Sequence, residues 1–119
     1  MEGVLLDPAQ LAKAAVDAAA DKKASDIILL DVRELTTIAD YFVICSANNP
    51  RQLQAIADGV DEALEKQGAR MFHREGDAET GWLLLDFSDV IVHIFGQTER
   101  EYYRLERLWN QAKTVVYLQ

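Results

Sequence analysis

Two apolar runs, residues 81–87 and 90–95, are separated only by the turn Phe87-Ser88-Asp89. No helix fits in a link that short, so the two runs must fold back on each other as an antiparallel hairpin. Residues 26–32 (Asp-Ile-Ile-Leu-Leu-Asp-Val) and 41–46 (Tyr-Phe-Val-Ile-Cys-Ser) are further short runs, apolar throughout rather than alternating. That pattern predicts strands buried on both faces, the second most simply the antiparallel neighbour of the first. A sheet whose inner strands show no polar side needs helices over it, and the rest of the chain supplies them.

Asp7-Pro8 reads as a helix start, with Asp as cap and Pro at the first helical position. The helix it opens runs to about Lys22, but Leu11, Ala14, Ala15, Ala18 and Ala19 make a thin apolar face that docks on a core rather than nucleating one. Asn48-Asn49-Pro50 is the clearest start in the chain: an amide cap, a proline, and Gln52 where a capping-box partner belongs. Leu53, Ile56, Ala57, Val60 and Leu64 keep its buried stripe, and Gly68 ends it. Residues 70–74 read as an edge strand and residues 75–80 as an acidic loop. Thr98 with Glu101 forms a capping-box pattern for a last helix reaching about Ala112, with Tyr102, Leu105, Leu108 and Trp109 as its inward stripe. Residues 113–119 have strand character without an evident partner; they can add to a sheet edge or drape over a neighbouring molecule.

The order α, β, β, α, β, β, β, α implies an α/β (α+β) domain with a mixed five-stranded sheet covered by helices. At 119 residues the whole chain, 1–119, is expected to be a single domain, with a core over 8–112 and a tail over 113–119.

Charge narrows the function. Asp and Glu total 20 against 12 Lys and Arg, a formal net charge of -8, and no basic block appears. Direct, sequence-specific nucleic-acid binding is therefore disfavoured, because it draws on a basic face that displaces counterions from phosphates. An acidic surface suits a basic protein partner instead. The lone Cys45 lies in an apolar run, as a small buried hydrophobe would. With neither a basic leader followed by an apolar run nor a stretch of membrane-spanning length, the expectation is a cytoplasmic protein without a membrane partner.

Asp31, Asp86 and Asp89, with His73 and His93, are the residues from which chemistry could be built. Asp86 and Asp89 bracket the hairpin, and a metal-dependent nucleotidyl- or phosphate-transfer enzyme using them with Asp31 is the alternative reading. The simpler reading is that such aspartates cap turns. His93 alternates with Val92 and Ile94 and has no second ligand at zinc spacing; phosphate-cradling glycine loops and nucleophile elbows are missing too. No catalytic residue, metal or other cofactor is expected. The last helix carries a positive signal: Tyr103, Glu106 and Arg107 stand beside Arg100 and Arg104 on a side distinct from the inward stripe, and these are residue types that anchor protein interfaces.

The segments Asp40-Tyr41-Phe42-Val43-Ile44, Arg51-Gln52, Asp89-Val90-Ile91-Val92-His93-Ile94-Phe95 and Leu105-Glu106-Arg107-Leu108-Trp109, with Trp82, Arg100 and Tyr103, closely resemble the ribosomal silencing factor (Iojap) family over about residues 8–112. The resemblance implies a small α/β domain with a nucleotidyltransferase-like chain path but no catalytic apparatus. It further implies a factor that binds the large ribosomal subunit through its fourteenth protein, which is basic, and sterically blocks the small subunit. Translation would be lowered, notably under nutrient limitation, and the free protein would be a homodimer. The family's docking surface maps onto Trp82, Asp89, His93, Tyr103, Leu105, Glu106 and Trp109. Two departures stand out. Asn48-Asn49-Pro50 replaces the family's common Thr-Gly-x-Ser before Arg51-Gln52, and Arg104 occupies a position that is commonly acidic.

Overall fold

The computed structural model describes residues 6–119, together with the side chains of all of these except Leu108. Helix α1 spans Pro8–Asp21, strand β1 Ser25–Asp31, β2 Tyr41–Ala47, α2 Pro50–Lys66, β3 His73–Asp77, β4 Trp82–Asp86, β5 Val90–Gly96, α3 Gln97–Tyr103, α4 Leu105–Leu108 and β6 Lys113–Leu118. The strands form one mixed six-stranded sheet in the order β3-β4-β5-β2-β1-β6. β2 and β5 pair in parallel, and every other neighbouring pair is antiparallel.

Both proline-marked helices begin where their caps place them. The Asp7 carboxylate accepts from the Ala9 amide at 3.0 Å, and the Asn49 side chain accepts from the Gln52 amide at 2.8 Å. Gln52 completes a reciprocal box by accepting from the Asn48 amide, and its side-chain nitrogen donates to the Lys22 and Lys23 carbonyls at the end of α1. One residue thus satisfies an N-terminus and ties the two helices together. α1 and α2 cover one face of the sheet, where Leu53, Ile56, Val60 and Leu64 meet Val43, Cys45, Leu83, Leu85, Val92 and Ile94. Each large side chain removed from water in this layer contributes roughly 1.5–3 kcal/mol, so this is the layer that holds the domain together. β2 is buried along its whole length, as an apolar run without alternation requires.

Four expectations are corrected. The sheet has six strands rather than five, because residues 113–118 pair antiparallel with β1, Ile28 opposite Tyr117 and Leu29 opposite Val116. The edge strand begins at His73 rather than at residue 70 and takes in Glu75, Gly76 and Asp77; only Ala78–Thr80 remain as a 3-10 turn, capped by Asp77. β3 is polar and exposed throughout, which protects that edge from pairing with other chains. The last helix starts at Gln97, with Gly96 in the cap position and no side-chain capping bond, so Thr98 is not the cap. It also does not run unbroken to Ala112: Arg104 adopts φ 46°, ψ 51°, and the helix is cut into α3 and α4.

The cut has a physical reason in three arginines. A continuous helix would stack Arg100, Arg104 and Arg107 at i, i+4 and i+7 on one stripe, where like charges repel. Arg100 is only 8% exposed, and a buried charge without a counter-ion costs about 3–5 kcal/mol. Turning one non-glycine residue into the left-handed region costs roughly 1–3 kcal/mol. The turn brings Glu106 to Arg100, so the buried guanidinium has a counter-ion.

Candidate functional site

The second face of the sheet has much less cover. Pairing in register builds three rows of side chains across it: Trp82, Phe95 and Ser46; Leu84, His93, Ile44 and Ile28; Asp86, Ile91, Phe42 and Leu30. Because strand residues alternate between faces, Val92 and Ile94 go to the helical layer and His93 and Phe95 come to this side. Leu105 and Trp109 of the broken helix pack on this layer.

The aromatic rings here form a continuous series. Trp109 meets Phe42 edge-on at 5.0 Å, Phe42 meets His93 edge-on at 5.9 Å, and His93 stacks parallel on Phe95 at 6.0 Å. Phe95 leads to Tyr103 at 5.8 Å, and Tyr103 to Tyr102 at 5.1 Å. At the outer end Tyr103 is 56% exposed, and Tyr102, expected on the inward stripe, is 80% exposed. Tyr102 faces out because the helix it belongs to is a different, shorter one. Trp82, His93, Phe95, Tyr103 and Leu105 enclose an open apolar pocket of about 220 Å³. The pocket is concave, aromatic and open, a form suited to receiving an apolar group.

His93 is held as a neutral ring. Burial pushes its pKa down from 6.5 to about 4, and its Nδ1 has no hydrogen-bond partner within the protein. It therefore acts here as an aromatic plate between Phe42 and Phe95, not as an acid or base at neutral pH.

Beside the pocket, Arg100 Nε donates to both Glu106 carboxylate oxygens at 3.1 and 3.2 Å, and Nη1 donates to the buried Ser46 hydroxyl at 2.9 Å. The Arg100 side chain is 9% exposed and that of Glu106 33%, so the pair is shielded on one side and open on the other. A larger polar cleft of about 590 Å³ lies between α3–α4 and β6. Its lining mixes Arg100, Arg104 and Arg107 with Asp26, Glu101 and Glu106, so it is not a phosphate cradle.

Of the seven residues singled out from the sequence, Trp82, His93, Tyr103 and Leu105 line the pocket, and Trp109 adjoins it through Phe42. Glu106 is engaged by Arg100. Asp89 stands apart in the β4–β5 turn, exposed, where its carbonyl accepts from the Asp40 and Tyr41 amides. The fold adds Phe42, Phe95, Ser46 and a buried Arg100 to these. Phe95 was within reach of sequence reasoning, since it lies two residues beyond His93 on one strand; Ser46 and Arg100 meet only through the fold.

The aspartates of the alternative reading do not converge. Asp31 is engaged by Arg33, whose Nη2 lies 2.7 Å from it, and the hydrogen bonds from Arg33 hold its carboxyl below the usual range. Asp86 accepts from the Ser88 amide at 2.7 Å as a turn cap, and β5 and β2 lie between its strand and that of Asp31, three strand spacings away. Among the described residues, no group of three or more His, Cys, Asp or Glu side chains is arranged to hold a metal ion. No helix among them is long and apolar enough to cross a membrane.

The family model described as "Ribosomal silencing factor during starvation" matches residues 6–119. The chain is similar to the ribosomal silencing factor RsfS of Halalkalibacterium halodurans, 42% identical over 106 residues that cover 89% of this chain and 91% of that one. It is similar also to the factor of the same name from Bacillus subtilis, 43% identical over 100 residues, covering 84% and 85%. A crystal structure of a Chromobacterium violaceum protein superposes with a TM-score of 0.84 at 32% identity, over 93% of this chain and 94% of that one. An open, aromatic sheet face suits binding, and these matches show that the chain belongs to the ribosomal silencing factor family, whose role is repression of translation rather than catalysis.

Proposed function

We propose that this protein silences ribosomes by docking the second sheet face on the fourteenth protein of the large subunit, so that the small subunit cannot join. The observation that carries the reading is the open aromatic pocket flanked by an exposed tyrosine pair, on a chain of net charge -8. Trp82, His93, Tyr103, Leu105 and Trp109 supply the apolar contact, with the pocket receiving a side chain of the partner. Asp89 and the open side of the Glu106 carboxylate meet basic groups around it. Docking excludes the small subunit by bulk alone and needs neither metal nor nucleotide.

The family description places silencing in starvation, and we read nutrient limitation as the condition in which the factor acts. Residues 1–119 act as one domain in this reading, with the chain path of a nucleotidyltransferase, and the free protein pairs with a second copy in the cytoplasm. Light scattering of the free protein tests the pairing.

Sedimentation of mixed ribosomal subunits tests the docking. Wild-type protein should co-sediment with large subunits and reduce the joined-ribosome peak, and Tyr103→Ala and Leu105→Ala should each restore joining. Joining that is unchanged by excess wild-type protein would refute the proposal.

A further inference from the structure

We propose that Arg100 and Ser46 are positioning residues: together they form a latch that holds Glu106, and with it α4, in the one arrangement that assembles the aromatic pocket. This inference rests on the docking reading for its functional consequence, but not for its structural one.

α4 has little to fix it locally. It contains only Leu105–Leu108, follows a residue in the left-handed region, and has no side-chain cap. A single helical turn of that length does not hold its shape unaided. Its position must come from tertiary contacts, which are the packing of Leu105 and Trp109 on the sheet and the bond from Arg100 to Glu106.

That bond discriminates between two forms of the segment. In an unbroken helix, residues six apart are rotated by about 240° and point away from each other. Arg100 and Glu106 can therefore meet only when the helix is cut at Arg104. The uncut form would leave Arg100 facing Arg104 and Arg107 instead. Ser46 adds a directional constraint: it sits on the central strand β2, opposite Phe95 of β5, and takes one arm of the guanidinium while Glu106 takes the Nε edge. The planar fork thus measures α4 against the same sheet row that forms the floor of the pocket. Leu105, adjacent to Glu106, lines the pocket wall, so loss of the latch moves the wall.

The latch separates positioning from contact. Arg100 is too buried to touch a partner, whereas Glu106 has an open side. If Glu106 acted only by contact, Arg100→Met would leave docking intact. If the latch sets the surface, Arg100→Met and Glu106→Gln should each weaken large-subunit binding at least tenfold, and the double variant should lose no more than Glu106→Gln alone. Arg100→Lys, which keeps the charge but not the fork, should fall between wild type and Arg100→Met. Ser46→Ala provides a milder variant should Arg100→Met fail to fold.

Amide hydrogen exchange of the free protein gives the arm that does not depend on the ribosome. Exchange over residues 105–109 should accelerate at least tenfold in Arg100→Met and measurably in Ser46→Ala, while α1, α2 and the inner strands keep wild-type protection. Unchanged exchange in 105–109 overturns the latch whatever the ribosome assay shows. Wild-type binding by a folded Arg100→Met variant, or additive losses in the double variant, overturn its role in docking. Failure of the wild-type protein itself to bind large subunits would count against the docking reading and leave the latch to be decided by exchange.

Discussion

Replacing His93 by Phe should remove much of the acid sensitivity of the fold. The imidazole lies between Phe42 and Phe95 with its Nδ1 unpartnered, and burial lowers its pKa from 6.5 to about 4. Between those values the unfolded chain takes up a proton that the folded protein resists, so low pH favours unfolding. The group is neutral in both states above its unfolded pKa and costs nothing there; the penalty grows as pH falls through 6.5 and is complete below about 4. Each pH unit in that window is worth up to about 1.4 kcal/mol, so a fall to about pH 4.5 should remove roughly 2–3 kcal/mol of stability through this residue. Phe has a similar outline and no proton to gain. Urea unfolding of wild type and His93→Phe at about pH 7.5 and 4.5 should therefore show a difference between the two proteins that widens by that amount in acid. Carboxylates such as Asp31, whose lowered pKa contributes stability that is lost as pH falls, affect both proteins alike and cancel in the comparison. Parallel pH profiles would refute the reasoning, because they would mean that the folded protein protonates His93 as readily as the unfolded chain.

Three further outcomes are expected. Asn49→Ala removes the acceptor for the Gln52 amide and should destabilise the protein by about 1 kcal/mol in urea titration, with Asn49→Ser largely restoring it. Gly76→Ala should cost more, roughly 2 kcal/mol or above: φ is 84° there, and the new methyl would meet both the Trp82 carbonyl and its indole ring, so Trp82 fluorescence should change with stability. Cys45 is fully buried and burial pushes its thiol up to about 12, so a thiol reagent at neutral pH should label it only at the rate of unfolding; rapid stoichiometric labelling of the native protein would contradict its place in the core.

How much of this was legible in the sequence depended on the range over which each signal acts. Asp7-Pro8 and Asn49-Pro50 mark helix starts through groups within three residues of one another, and both helices start there. The hairpin was forced by its own short link. The cut at Arg104 answers to a different scale: Thr98 and Glu101 present a sound local pattern, but Arg100 is bound to Ser46 of β2 and to Glu106, contacts that no local pattern records. Tyr102 falls on the inward stripe of an unbroken helix and is exposed in the broken one for the same reason. β6 was recognised as strand-like and its partner was not, because β1 lies more than eighty residues earlier in the chain and strand propensity does not say which edge is free. At the site, the sequence offered Trp82, His93 and Tyr103 as candidates, while Phe42 and Phe95, which connect them, looked like ordinary core.

The parallel pairing of β2 with β5 also governs the order in which the protein can mature. Tyr41 waits for Val90 before the centre of the sheet closes, and pairings so distant in sequence form late and slowly. Every wall of the aromatic pocket comes from residue 82 or beyond. A chain emerging from a ribosome therefore presents this face only once residues 82–105 are out, and on the docking proposal an incomplete chain, still attached to the machinery that makes it, lacks the surface with which to silence it.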